Sequence, residues 1–106
     1  MELKDLFEFA KKEHERQITH HKVKGDPKVK YTMFAKLIEE VGELSEAMTT
    51  SDALQRGDKL RKAKSELADE FADVLLVTLI LAEEWNVDAR KALIEKIEKI
   101  KKRNYK

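Results

Sequence analysis

Apolar residues recur along most of the chain at the three- and four-residue spacing of a helix, with polar breaks between the runs. Leu3, Leu6, Phe7 and Ala10 open the pattern, which weakens through His14 and Ile18, so the spacing predicts a helix over roughly residues 2–20. The stretch THHKVKGDPKVKY, residues 19–31, has no period and contains Gly25-Asp26-Pro27, which marks a loop. From Thr32 the set Phe34, Leu37, Ile38, Val41, Leu44 and Met48 predicts a second helix to about residue 50. Thr49, Thr50, Ser51 and Asp52 then offer turn and capping chemistry, Gly57 suits the end of a short helical piece, and Asp58 suits the cap of a third helix over 59–85. Asn86 is placed to close that helix and Asp88 to cap a fourth, in which Ala92, Leu93, Ile97 and Ile100 form a narrow stripe expected to be buried. The closing string KIEKIKKRNYK is basic, as suits a helix C-terminus.

Helices with short connections predict an all-α protein, a four-helix bundle forming a single domain over residues 1–106. The scarcity of breakers, 3 Gly and 1 Pro in 106 residues, agrees with this and speaks against a turn-rich β protein. Gly42 lies inside the second helix, where it costs ~1 kcal/mol relative to Ala. Over Phe71–Ala82 the third helix is apolar nearly all round, so it needs cover on more than one side. That predicts assembly into a homodimer or homotetramer.

Charge narrows the function classes. With 22 basic and 21 acidic residues the formal net charge is +1, and the basic last helix lacks interleaved aromatics, so no nucleic-acid partner is expected. Without Cys there is no thiolate metal site, and a reducing cytoplasm is the expected location. The start, MELKDLFEFAKKEHE, lacks the apolar run of a signal peptide, and the run ending at Ala82 is too short to span a membrane. His14, His20 and His21 lack the fixed spacing to Cys or carboxylates that a transition-metal site uses, and read as solvent-exposed.

The carboxylates carry the chemistry. At about 100° per residue, Glu39, Glu40 and Glu43 share an arc of about 100° on the second helix, with Lys36 projecting into it. A solvated face paired with Lys would explain these alone. On the third helix Glu66, Glu70 and Asp73 lie within about 60° of one another, and their stripe continues as Val77 and Leu81. Solvation does not explain an acid flanked by Phe71, Ala72, Val74 and Leu75; an ionised Asp73 there needs a cation. Two neighbouring helices that each present acids at i and i+3 can converge oxygen ligands on one ion, and all-oxygen ligation favours Mg2+ or Mn2+ over Zn2+.

The string Lys36-Leu37-Ile38-Glu39-Glu40-Val41-Gly42-Glu43-Leu44, followed by Glu70-Phe71-Ala72-Asp73-Val74-Leu75, resembles the EExxE…ExxD signature of the MazG-like, all-α nucleoside triphosphate pyrophosphohydrolases. The likeness covers about residues 31–104. It implies Glu40, Glu43, Glu70 and Asp73 as Mg2+ ligands, Glu39 as an outer or second-metal carboxylate, and Asp69 at a position often acidic in the family. It also implies hydrolysis between the α and β phosphates of a nucleoside triphosphate, giving monophosphate and pyrophosphate, in the clearing of unwanted or modified nucleotides. Glu39 is then the expected water-orienting base, and Lys36, Lys96, Lys99 and Arg103 are candidate phosphate clamps that would otherwise be ordinary solvated residues. In one departure, Ile100 stands where the family's last helix often carries Asn in a stretch like EKxxxN, and Asn104 follows a turn later, so substrate choice does not carry over. For base and sugar, Trp85, Phe34, Tyr31 and Asn86 are available, although Trp85 and Phe34 read better as core or interface packing. Two other readings stand beside this one: phosphoribosyl-ATP pyrophosphohydrolase, a related helical family, and a non-catalytic helical interaction module or antitoxin-like partner.

Overall fold

The computed structural model describes residues 1–53 and 57–103. Its elements are α1 (Leu3–His20), α2 (Val29–Ala53), α3 (Asp58–Glu84) and α4 (Ala89–Lys101), and the described residues contain no strand. The all-helical class and the helix order are those the apolar spacing predicts.

Local chemistry sets the helix ends. The Glu2 backbone N–H donates to Asp5 Oδ2 at 2.7 Å, satisfying a group at the start of α1 that has no partner within the helix. α2 begins at Val29, earlier than its apolar spacing indicates. Asp26 Oδ1 accepts the Lys28 N–H at 2.9 Å and the Asp26 carbonyl accepts the Val29 N–H, so the Asp26-Pro27-Lys28 turn leads straight into the helix. At the other end α2 runs on through the expected turn residues to Ala53. Thr49 donates its hydroxyl to the Ser45 carbonyl at 3.0 Å and so serves the helix instead of ending it. The short helical piece expected before Gly57 falls partly on residues 54–56, outside those described.

Gly57, with φ +91°, is the N-cap of α3 and Asp58 is its first residue, which corrects the expectation that Asp58 is the cap. Asn86 does close α3, in the left-handed region at φ +56°, while the Val87 N–H reaches the Ala82 carbonyl at 2.9 Å. Asp88 does cap α4, its Oδ1 accepting the Lys91 N–H at 3.0 Å.

α3 is the shared element: it packs along α2 and against α1, whereas α4 makes little contact with the rest of the chain. Ala10, Ile18, Val29, Ala63 and Ile80 are the buried apolar residues where these helices meet. The expected burial of the α4 stripe does not occur within one chain. Leu93, Ile97 and Ile100 stay exposed and α4 has no buried residue, because no other helix of the chain covers it. Phe34, Ile38, Val41 and Met48 on α2 are exposed as well, as are Phe71 and Leu75 on α3, the last at 66%. The chain therefore presents 8761 Å² of accessible surface, where scaling gives about 6,100 Å² for a compact monomer of this mass. Its radius of gyration is 16.9 Å against about 13 Å for a compact domain of this length.

Candidate metal centre

Of the four acids expected to share an ion, Glu40, Glu43 and Glu70 converge where α2 lies along α3. Glu40 is the one buried charged residue among those described, 7% exposed, and Glu43 stands one turn further along the same helix. One carboxylate oxygen from each of Glu40, Glu43 and Glu70 lies within 4.8 Å of the other two. Lys36 Nζ approaches Glu40 Oε1 at 3.1 Å and Glu39 Oε2 at 3.5 Å. That leaves Glu40 Oε2 and Glu70 Oε2, both buried and without a hydrogen-bond partner. Such atoms carry their full desolvation cost unless a cation or donor meets them.

The electrostatics point the same way. Glu43 holds its proton to higher pH than an ordinary carboxyl, chiefly because of the charge on Glu40, with partial desolvation, a hydrogen bond to Glu40 and the charges of Glu70 and Glu39 adding to it. Glu70 is raised by desolvation first, then by Asp73, Glu40, Asp69 and Glu66. Asp73 is raised by desolvation, then by Asp69 and Glu40, against a smaller opposing effect of Lys36. Lys36 in turn is held charged to higher pH by its hydrogen bond to Glu40 and by Glu39. One ammonium among this many acids leaves negative charge in excess. Three converging carboxylates, two of which also carry a buried oxygen without a partner, fit a hard divalent cation.

The other expected residues are placed less centrally. Asp73 is half-buried one turn beyond Glu70; it senses Glu40 and Lys36 but is not one of the three carboxylates that converge. The Glu39 side chain is 61% exposed and its partner is Lys36. Lys96, Lys99 and Arg103 are exposed on or just after α4, and no ion pair joins them to the acids. Ile100 is exposed, and Asn104 lies outside the described residues.

Phe34 and Trp85 are not core residues in one chain. Tyr31 meets Trp85 edge to face with ring centroids 6.2 Å apart, and Lys30 Nζ sits 4.8 Å from the Trp85 ring centre. His14, expected to be solvent-exposed, is instead largely covered, its side chain 14% exposed with Nε2 3.5 Å from Glu84 Oε1, whereas His20 and His21 are exposed and meet edge to face.

Two cavities flank the acids. A small one of about 250 Å³ includes Glu43, Glu66 and Glu70 together with Glu46 and Thr50. Glu46 is not among the expected site residues, although its place three residues after Glu43 would have put it on the same face. A large one of about 740 Å³ opens between the end of α1, the loop, the start of α2 and the last turns of α3, and Lys36 lines it. Its polar wall includes Gln17, His21, Asp26 and Thr32. Nothing in the apolar spacing singles these out, since most of them sit where that spacing lapses.

A family model described as MazG nucleotide pyrophosphohydrolase domain matches residues 29–106. No curated protein and no solved structure matches the chain.

Because the fold raises the pKa values of Glu43, Glu70 and Asp73, their contribution to stability is present below the ordinary carboxylate range and is lost as pH rises through the raised values. Glu43→Gln should therefore raise the melting temperature of metal-free protein at neutral pH, with the gain shrinking towards about pH 4. The same variant should reduce the stabilisation that Mn2+ confers by mass action. Thermal melts across pH, with chelator or with Mn2+, check both. A metal-free variant less stable than the parent at neutral pH would count against the crowding described here.

Proposed function

The chain belongs to the MazG nucleotide pyrophosphohydrolase family, and we propose that it hydrolyses nucleoside triphosphates between the α and β phosphates, with Mg2+ as its metal and Mn2+ as a substitute. The observation that carries this reading is the convergence of Glu40, Glu43 and Glu70, two of them with a buried carboxylate oxygen that has no protein partner. The family is divalent-metal dependent. Glu40, Glu43 and Glu70 would hold the ion, with Asp73 as the further carboxylate from α3. When bound, the ion supplies the positive charge a polyphosphate needs beside so many acids, and Lewis acidity towards its phosphoryl oxygens.

The chain's own residues do the rest. Glu39 is exposed and ionisable beside the cluster, and takes the proton of the attacking water. The water oxygen bonds to the α phosphorus, the bond from that phosphorus to the α,β-bridging oxygen breaks, and the electron pair leaves on pyrophosphate. Lys36 steadies Glu39 and Glu40 and meets phosphate oxygens on the side of the large cavity. Attack at phosphorus needs positioning and charge compensation more than covalent help, which is what this set of residues offers. The physiological role we assign is removal of unwanted nucleotides, in the cytoplasm. Among the described residues no helix is long and apolar enough to cross a membrane.

We further read the protein as a homodimer or homotetramer. The surface in excess of a compact monomer exceeds the roughly 800 Å² per partner of a standard interface, and large apolar side chains of α2, α3 and α4 are exposed on it. Lys96, Lys99 and Arg103 then act as phosphate clamps through assembly, since α4 packs little within its own chain.

Glu70→Gln should abolish pyrophosphate release from nucleoside triphosphates in the presence of Mg2+, by a factor of at least about 100, while circular dichroism stays helical. Turnover within a few-fold of the parent would sink the assignment. In sedimentation the parent should run as two or four chains, and Leu75→Glu should shift it towards monomer. A monomeric parent would contradict the assembly.

A further inference from the structure

We propose that the large cavity beside the acids is the nucleobase site, and that Gln17 and Asp26 make it select bases bearing an exocyclic amine over those with a carbonyl in its place. This rests on the triphosphate reading above. At about 740 Å³ the cavity is of a size that holds small molecules. Ile18, Val29, Met33, Val77 and Ile80 give it apolar walls, and the His21 ring offers a face for stacking. Lys36 lines this cavity while its ammonium touches Glu40 and Glu39, so a ligand whose phosphates lie at the acids has its other end here. Trp85, Phe34, Tyr31 and Asn86, the base-binding candidates from sequence, are not among its lining residues.

The selectivity follows from which hydrogen-bonding atoms are already used. Gln17 Nε2 donates to Glu13 Oε1 at 3.2 Å. An ionised carboxylate can only accept, so the amide orientation is forced and Gln17 keeps its oxygen free. Asp26 Oδ1 takes the Lys28 N–H at 2.9 Å, which leaves Oδ2. The Thr32 hydroxyl proton is committed to the Lys28 carbonyl at 3.2 Å, so Thr32 too offers only lone pairs. A cytosine or adenine amine can donate to these acceptors, whereas the carbonyl oxygen of uracil or hypoxanthine is set against their lone pairs and, beside Asp26, against a carboxylate. The Lys28 ammonium, on the same wall, is long and mobile and can serve a ring acceptor of either class.

The test uses matched pairs that differ at that one position, CTP against UTP and ATP against ITP, with pyrophosphate release in Mg2+ as readout. The amine member should be favoured in kcat/KM by at least about tenfold in both pairs. Gln17→Leu should cut that preference at least threefold. Asp26→Asn keeps an oxygen for the Lys28 N–H but puts an amide NH2 where the free acceptor stood, so it should cut the preference or invert it. A second measurement, saturation-transfer NMR of CMP against UMP and AMP against IMP without metal, separates this inference from the reading it rests on. Tighter binding of the amine monophosphates with no triphosphate hydrolysed would overturn the proposed activity and support the base site. Hydrolysis with preferences within twofold, unmoved by both variants, would overturn the base site and leave the activity standing. Absence of discrimination in turnover and binding alike overturns the inference.

Discussion

The interaction on which the rest depends is the unfinished environment of the Glu40 carboxylate. One of its oxygens has Lys36 at 3.1 Å; the other is buried with no partner, as is one oxygen of Glu70 across the helix pair. A helix pair selected for stability alone would place apolar residues or a second Lys there, because an uncompensated charge in such a place is costly. The arrangement is consistent with a site whose missing charge arrives from outside the chain. The long contact of α2 along α3 holds the acids close despite their repulsion.

The same helix pair has a second task. Its acidic edge faces the cavities, while residues such as Phe34, Ile38, Val41 and Leu75 form apolar faces that one chain leaves in water. The chain has few buried apolar residues of its own and leaves many large apolar side chains exposed. The acids and these apolar faces both lie on the packed pair α2 and α3. α1 contributes differently. It contacts α3 but leaves a large cavity that Lys36 also lines.

Much of this was legible in the sequence, for identifiable reasons. Periodicity marks helices because burial selects one face, and it located all four within a few residues. It failed at the start of α2, where the Asp26 turn and not an apolar stripe sets the boundary, and at Thr49, whose hydroxyl bonds back along the helix. It also expected α4 to be buried, since an apolar stripe records that a surface is covered without saying by which chain. The acids on each helix were readable from angular arithmetic, but arithmetic on single helices cannot say which side chains converge. Glu40, Glu43 and Glu70 meet, Asp73 stays one turn away, and Glu39 faces solvent. Gln17, His21 and Asp26 come from parts of α1 and the loop that are distant from the acids in sequence, and only tertiary packing shows that they share a cavity with Lys36.

The most direct test of the central claim is a crystal grown or soaked with Mn2+ and read by anomalous scattering. The account predicts a peak between α2 and α3 with carboxylate oxygens of Glu40, Glu43 and Glu70 at about 2.0–2.3 Å, typical of a small divalent ion bound by oxygen. Saturating Mn2+ with no peak at that place, and those three carboxylates turned apart onto lysines, would contradict it.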